Sequence, residues 1–282
     1  MNRPFAQQPF TPRPRARAAA FTLIELIVTV SVIAVLLSIT LPAVSGSRRA
    51  AARAMCLHRL GGIGVAASAY SHDHQGTLPT MFSGPSPAMK TIENWGWNDH
   101  AALPADQIIL WCYMLGPYLD AENLLRQAEA VSCPDVFHDM SVTTPSPERV
   151  VVPAYAVASY NYSVSCFTSP SAWRDASTGP DVNLAHQANQ WSSVRHPSAK
   201  TLLVEFASRH DSVPERLWES RSGVFNVLAA DAHAEPISAL RSRDPVPFRG
   251  RSVDSYNYFP WTEHPVPLFA SRGGIHGTDW RP

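Results

Sequence analysis

The chain has 282 residues, of which 45% are hydrophobic and 16% charged, with 23 Lys+Arg against 23 Asp+Glu. That length and apolar content suffice for one main domain with appendages and exclude a disordered polymer. Balanced charge supplies no basic face to neutralise phosphates, so nucleic acid is not an expected partner.

Residues 1–20 carry Arg3, Arg13, Arg15 and Arg17 with no acid, and their prolines make them a basic leader without regular structure. From Leu26 to Val44 no residue is charged. At 1.5 Å per residue a helix over residues 21–44 would be about 36 Å long, enough to cross a hydrocarbon core of about 30 Å. A secretory signal peptide is the alternative, with small residues at Ser45, Gly46 and Ser47, but its apolar region is usually only about 7–15 residues long. Arg48, Arg49, Arg53 and Arg59 follow the span and match the leader's four arginines, so charge counting does not set its orientation.

One acid, Glu25, interrupts this apolar run. The stretch Phe21-Thr22-Leu23-Ile24-Glu25-Leu26 resembles the cleavage and methylation motif of type IV pilins and type II secretion pseudopilins, with Ala20 in place of the usual Gly. The resemblance implies that a prepilin peptidase removes residues 1–20 by cutting between Ala20 and Phe21 and methylates the new amine of Phe21. It also implies a role for Glu25, the fifth residue after the cut. A carboxylate in lipid is costly unless paired, and a neighbouring pilin-like subunit's cationic amino terminus would pair it during assembly.

Pro42 removes one helical bond and predicts a kink rather than a stop, so residues 45–75 are expected to continue the helix in amphipathic form. Met55, Leu60, Ile63 and Ala67 are spaced as one apolar stripe, while Gly61, Gly62 and Gly64 each cost a helix interior about 1 kcal/mol. The segment from Cys56 to Pro79 resembles the stretch after the span in a large pseudopilin-like family of planctomycete-type bacteria. His72, Asp73 and His74 lack further placed ligands and are read as a helix end capped by Gly76, not a metal site. No acid-rich loop matches the calcium loop that some pseudopilins carry near the C-terminus.

Residues 76–238 read as an α+β globular domain in which an antiparallel sheet packs on the long helix. Within it, residues 107–120 form a short apolar segment, 123–136 a short helix, 154–167 a strand by alternation, and 201–207 a strand after Pro197. Residues 221–238 resemble the strand-turn-strand module of the same family, whose pattern is His, nine residues, Asp-Gly. Gly223, Asn226, Val227, Leu228 and Asp231 match; Arg221 replaces the His and Ala232 the Gly. Because glycine takes positive φ freely, Ala232 implies either about 1 kcal/mol of strain or a different turn. Residues 239–282 are rich in Pro and aromatics and are expected to wrap the sheet edge irregularly.

Cys56, Cys112, Cys133 and Cys166 allow three complete pairings. An exported domain permits disulfides, and because Cys56 lies near the membrane the favoured bridge is Cys133–Cys166; the alternative is four free thiols. No CxxC pair exists, which argues against a zinc or redox motif, and no metal or cofactor is expected. Asp231 with His233, or Glu205 with His210, could form acid/base or metal pairs, but Asp-x-His on a hairpin more often faces solvent, and no nucleophile elbow, P-loop or His-Glu-x-x-His is present. The chain is therefore not expected to be an enzyme. The expected function is a pseudopilin-like filament subunit, held in inner-membrane lipid with its domain outside the cytoplasm. The alternative is a membrane-anchored binding or surface protein that uses a pilin-type signal without forming filaments.

Overall fold

The computed structural model describes residues 22–80, 111, 114–119, 132–133, 159–174, 180, 185–211, 215–217, 220–243, 245–248 and 265–281. The leader, the cleavage residues Ala20 and Phe21, Cys112 and most of the helix expected over 123–136 lie outside them. The chain divides into two compact units, Met1–Ser47 and Arg48–Pro282. It is an α+β protein with one long helix, α1 (Leu23–Asp73), and a four-stranded antiparallel sheet in the order β1-β2-β3-β4.

The first unit holds the apolar part of α1. Every large apolar side chain from Leu23 to Val44 is 48–75% exposed, and the helix runs on through Pro42. Hydroxyls in this stretch are satisfied within the helix: Thr29 donates to Leu26 O (2.8 Å), Ser31 to Ile27 O (2.7 Å) and Ser38 to Val35 O (2.7 Å). An apolar helix that leaves no side-chain donor pointing outward is suited to hydrocarbon, where an unsatisfied polar group costs several kcal/mol.

In the second unit α1 buries Cys56, Leu60, Ile63, Gly64, Ala67 and Tyr70, one face at helical spacing. Met55, expected on that face, is 49% exposed, and Cys56 takes its place. Gly64 allows a close approach: a Cβ there would lie 3.0 Å from both Leu228 Cδ1 and Ala232 Cβ, whereas Gly61 and Gly62 have nothing within 4 Å.

The sheet comprises β1 (Tyr160–Tyr162), β2 (Thr201–Glu205), β3 (Val224–Ala229) and β4 (Ala234–Ser238). All five residues of β2 are buried, so both faces of the sheet centre are covered. On one face the Tyr160 hydroxyl donates to Cys56 O (3.4 Å); on the other, Thr201 Oγ1 donates to Leu268 O (2.6 Å). A register shift between Thr201 and Leu203 separates these two environments along one strand.

Strand β1 is shorter than the alternation over 154–167 predicts. After Tyr162, Ser163 Oγ donates to Phe269 O (2.7 Å) and Thr168 Oγ1 to Val164 O (2.6 Å). The long-range first bond and the local second one accompany a 3₁₀ turn at Val164–Cys166, where the backbone leaves the strand. The described C-terminal residues are irregular but anchored. Asp279 is fully buried and takes Lys200 Nζ on Oδ1 and Thr201 N on Oδ2, each at 2.9 Å, so a buried charge is matched and hydrogen-bonded.

Candidate functional site

Helix α1 begins with a reciprocal cap. Thr22 N and Thr22 Oγ1 both donate to Glu25 Oε2 at 2.8 Å, and Glu25 N donates to Thr22 Oγ1 at 3.3 Å. This is a capping box, built by a hydroxyl residue three positions before an acid, and it satisfies donors that the first helical turn would leave without partners. The carboxylate gains two donors and the field of the helix N-terminus, which together offset part of the cost of an acid in an apolar run. Glu25 Oε1 takes no bond among the described residues, so the acid keeps acceptor capacity on that oxygen.

The helix that follows is long and apolar enough to cross a membrane once. Residues 15–41 match the family described as the prokaryotic N-terminal methylation motif. The chain carries a pilin-type amino terminus. No curated protein and no solved structure matches the chain. The pilin-type match brackets the leader's last arginines, Ala20, Phe21 and Glu25, and stops short of the globular unit.

A second constellation lies in that unit, and it corrects the expected disulfide. Cys133 is bonded to Cys56, with Cα atoms 5.2 Å apart, and not to Cys166, which is a free, buried thiol. Cys56 belongs to the second unit and is fully buried on the core-facing side of α1. Cys166 instead ends the 3₁₀ turn after β1 and points its thiol at Thr201 O, 3.6 Å away. Burial pushes the Cys166 thiol up to about 12, with Lys200 opposing and Asp279 reinforcing the shift, so it is inert as a nucleophile.

The bridge adjoins the Glu205/His210 pair that the sequence singles out. His210 Nε2 lies 3.3 Å from Glu205 Oε1 and 3.5 Å from Cys133 Sγ, with the side chains of Glu205 and His210 both 1% exposed. Glu205 is placed at the end of β2 and held from β3, where Asn226 N donates to Oε2 (3.0 Å) and Asn226 Nδ2 to Oε1 (3.2 Å). Cys133 is held by its own N–H donating to Ser159 Oγ (2.9 Å), and Arg59 from α1 donates to Ser132 O. Four residues from three separate stretches of the chain thus converge in one buried spot. No spacing in the sequence announces this, although a carboxylate at the end of the apolar run Thr-Leu-Leu-Val-Glu does signal a buried partner.

The remaining candidates do not assemble. His74 stacks on Tyr70 with ring centroids 3.9 Å apart, while exposed His72 meets Asp73 at 3.5 Å; among the described residues His72, Asp73 and His74 do not converge. Asp231 and Ala232 form the β3–β4 turn, and Arg221 sits exposed ahead of β3. Ala232 has φ 68, so the turn is kept and an L-residue is held in the left-handed region where glycine is preferred. His233 bonds Asp231 through Nδ1 and approaches Glu235 through Nε2 (3.4 Å). Burial pulls the His233 pKa down, but the hydrogen bonds and charges of Asp231 and Glu235 outweigh it, and the net direction is upward.

Proposed function

We propose that the chain is a pseudopilin-like subunit, cut between Ala20 and Phe21 by a prepilin peptidase, methylated on Phe21 and assembled through α1 into a filament of the type II secretion or type IV pilus kind. The observation that carries the reading is the methylation motif over residues 15–41, with its acid at Glu25 on the first turn of a membrane-length helix. The planctomycete-type pseudopilin-like family, with its modified His and Asp-Gly positions at Arg221 and Ala232, is the finer assignment within this reading. Residues 21–44 anchor the subunit in the inner membrane, and the Arg48–Pro282 unit lies outside the cytoplasm.

The mechanism is assembly rather than catalysis. Before assembly Thr22 supplies the Glu25 carboxylate with two donors but no countercharge. In a filament core the amine of a neighbouring Phe21 supplies that charge, so a helix docks at the register that brings amine and carboxylate together. Hydrogen bonds to charged groups are worth about 1.5–3 kcal/mol, so the capping box holds the isolated subunit without removing the preference for a cationic partner.

Disulfide crosslinking with two cysteines introduced into each apolar helix, for example at Ile27 and Leu41, tests the proposal in cells that hold the assembly machinery. Ladders of crosslinked subunits are expected, and they should disappear with Glu25→Ala while membrane insertion persists. A monomer under every assembling condition would favour a lone membrane anchor, and ladders unchanged by Glu25→Ala would remove the acid from the mechanism.

A further inference from the structure

The buried cluster beside the disulfide has a composition that neither a structural crosslink nor a filament subunit requires. One donor atom from each of Cys56, Cys133, Glu205 and His210 lies within 4.8 Å of all the others, and all four residues are buried. Two sulfurs, an imidazole nitrogen and a carboxylate oxygen make a donor set suited to zinc. We propose that, in the dithiol form of the chain, Cys56, Cys133, Glu205 and His210 hold a tetrahedral zinc ion at the place the disulfide otherwise occupies.

The distances fit that geometry. Bonds of about 2.3 Å to sulfur and about 2.0–2.2 Å to nitrogen and oxygen give tetrahedral edges of about 3.6 Å for S···N and about 3.4 Å for N···O. The observed Cys133 Sγ···His210 Nε2 and His210 Nε2···Glu205 Oε1 separations are 3.5 and 3.3 Å. The sulfur pair has to part, since thiolates on one zinc stand about 3.8 Å from each other, and the remaining donor pairs, all within 4.8 Å, have to close by no more than about 1 Å.

Glu205 and Cys133 have the outer partners that ligands need. Asn226 fixes both oxygens of Glu205, Ser159 fixes the Cys133 backbone, and the Arg59 guanidinium donates beside Cys133. Two thiolates and a carboxylate around a divalent ion leave one net negative charge, which the nearby Arg59 cation counters.

The conversion balances as follows. A dithiol reductant gives two electrons and two protons to the Cys56–Cys133 bond, forming two thiols while the reductant closes its own disulfide. Zinc then displaces two protons from those thiols, so uptake releases protons and favours neutral over acidic pH. A newly made chain, whose cysteines have not yet been oxidised, needs no reductant. The site lies wholly within the Arg48–Pro282 unit, and its test is independent of the filament reading.

The test uses full-length chain in detergent, reduced anaerobically, freed of reductant and titrated with cobalt(II) and then zinc. One equivalent of cobalt should bind with a thiolate-to-metal charge-transfer band and tetrahedral d–d bands, and zinc should displace it while protecting Cys56 and Cys133 from alkylation. Cys133→Ser should lower the charge-transfer intensity to that of one thiolate or less. His210→Gln, whose fold is checked by circular dichroism and by the intact Cys56–Cys133 bridge before reduction, should weaken cobalt binding by about 100-fold. A reduced wild-type chain that takes up no cobalt, folded or not, overturns the assignment. So does cobalt binding that is unchanged in either variant.

Discussion

Replacing Cys56 and Cys133 together by serine should destabilise the chain by several kcal/mol, and the size follows from the loop the bridge closes. Its ends are 77 residues apart in sequence. On the chain-entropy account a loop of that length removes about 15 cal/mol/K from the unfolded ensemble, or about 4.5 kcal/mol at 25 °C. The serine hydroxyls find His210 and Glu205 as partners, so burial of new polar groups adds little to this loss. Guanidinium unfolding of the full-length chain in detergent with a chelator present, followed by the fluorescence of its 8 tryptophans, gives the measurement. A loss of about 3–5 kcal/mol is expected, with a steeper denaturant dependence because the uncrosslinked unfolded chain exposes more surface. Cys166→Ala removes no crosslink and should cost only about 1 kcal/mol. A loss below about 1 kcal/mol in the double variant, or a non-reducing peptide map that joins Cys133 to Cys166, would refute the pairing and the reasoning built on it.

Three further outcomes follow from the same packing. Ala at Gly61 or Gly62 should stabilise the chain by up to about 1 kcal/mol through helix propensity, whereas Gly64→Ala meets Leu228 and Ala232 and should be neutral or destabilising by up to about 2 kcal/mol; equal gains at all three sites in thermal melts would contradict the close approach. Ala232→Gly relieves a left-handed φ of 68 at the β3–β4 turn and should raise the melting temperature by about 1–4 °C, and a lower value would mean the turn is not strained. For His233 the folded pKa is raised, so its contribution to stability is complete below the unfolded value of about 6.5 and is lost as pH rises through the folded value. Wild type should therefore lose more thermal stability than His233→Gln on going from pH 6 to 8, and an NMR titration midpoint at or below 6.5 would reverse the sign.

The parts of the fold that are written locally were legible in the sequence. The apolar run from Phe21 and its single acid in the Phe21–Leu26 motif identify the start of α1, because length and motif are both local; the capping of that turn by Thr22 and Glu25 came from the structure. Strand β2 is read from its apolar run after Pro197, and β3 and β4 from the resemblance of residues 221–238 to a strand-turn-strand module; even the strain at Ala232 could be foreseen from glycine's usual place there. The disulfide was not legible. Cys56 was assigned to the membrane side by its position in the chain, whereas its partner is chosen by which helical face meets Cys133 across 77 residues. The same holds for the buried cluster: Glu205 and His210 were identifiable as a pair, but their meeting with Cys56 and Cys133 depends on the packing of α1 against the sheet. Met55 and Cys56 exchanged roles for a related reason, since adjacent helix positions differ by about 100° and a stripe read from sequence fixes the face only to within one residue.

Mass spectrometry of the amino-terminal peptide from chain produced with a prepilin peptidase tests the central claim most directly. The account predicts a first residue of Phe21 bearing one methyl group on its amine. A chain that keeps residues 1–20 would contradict it, because Phe21 would then carry no free amine to meet Glu25 of an adjoining subunit, and so would one that starts near Gly46–Arg48, because Glu25 itself would be gone.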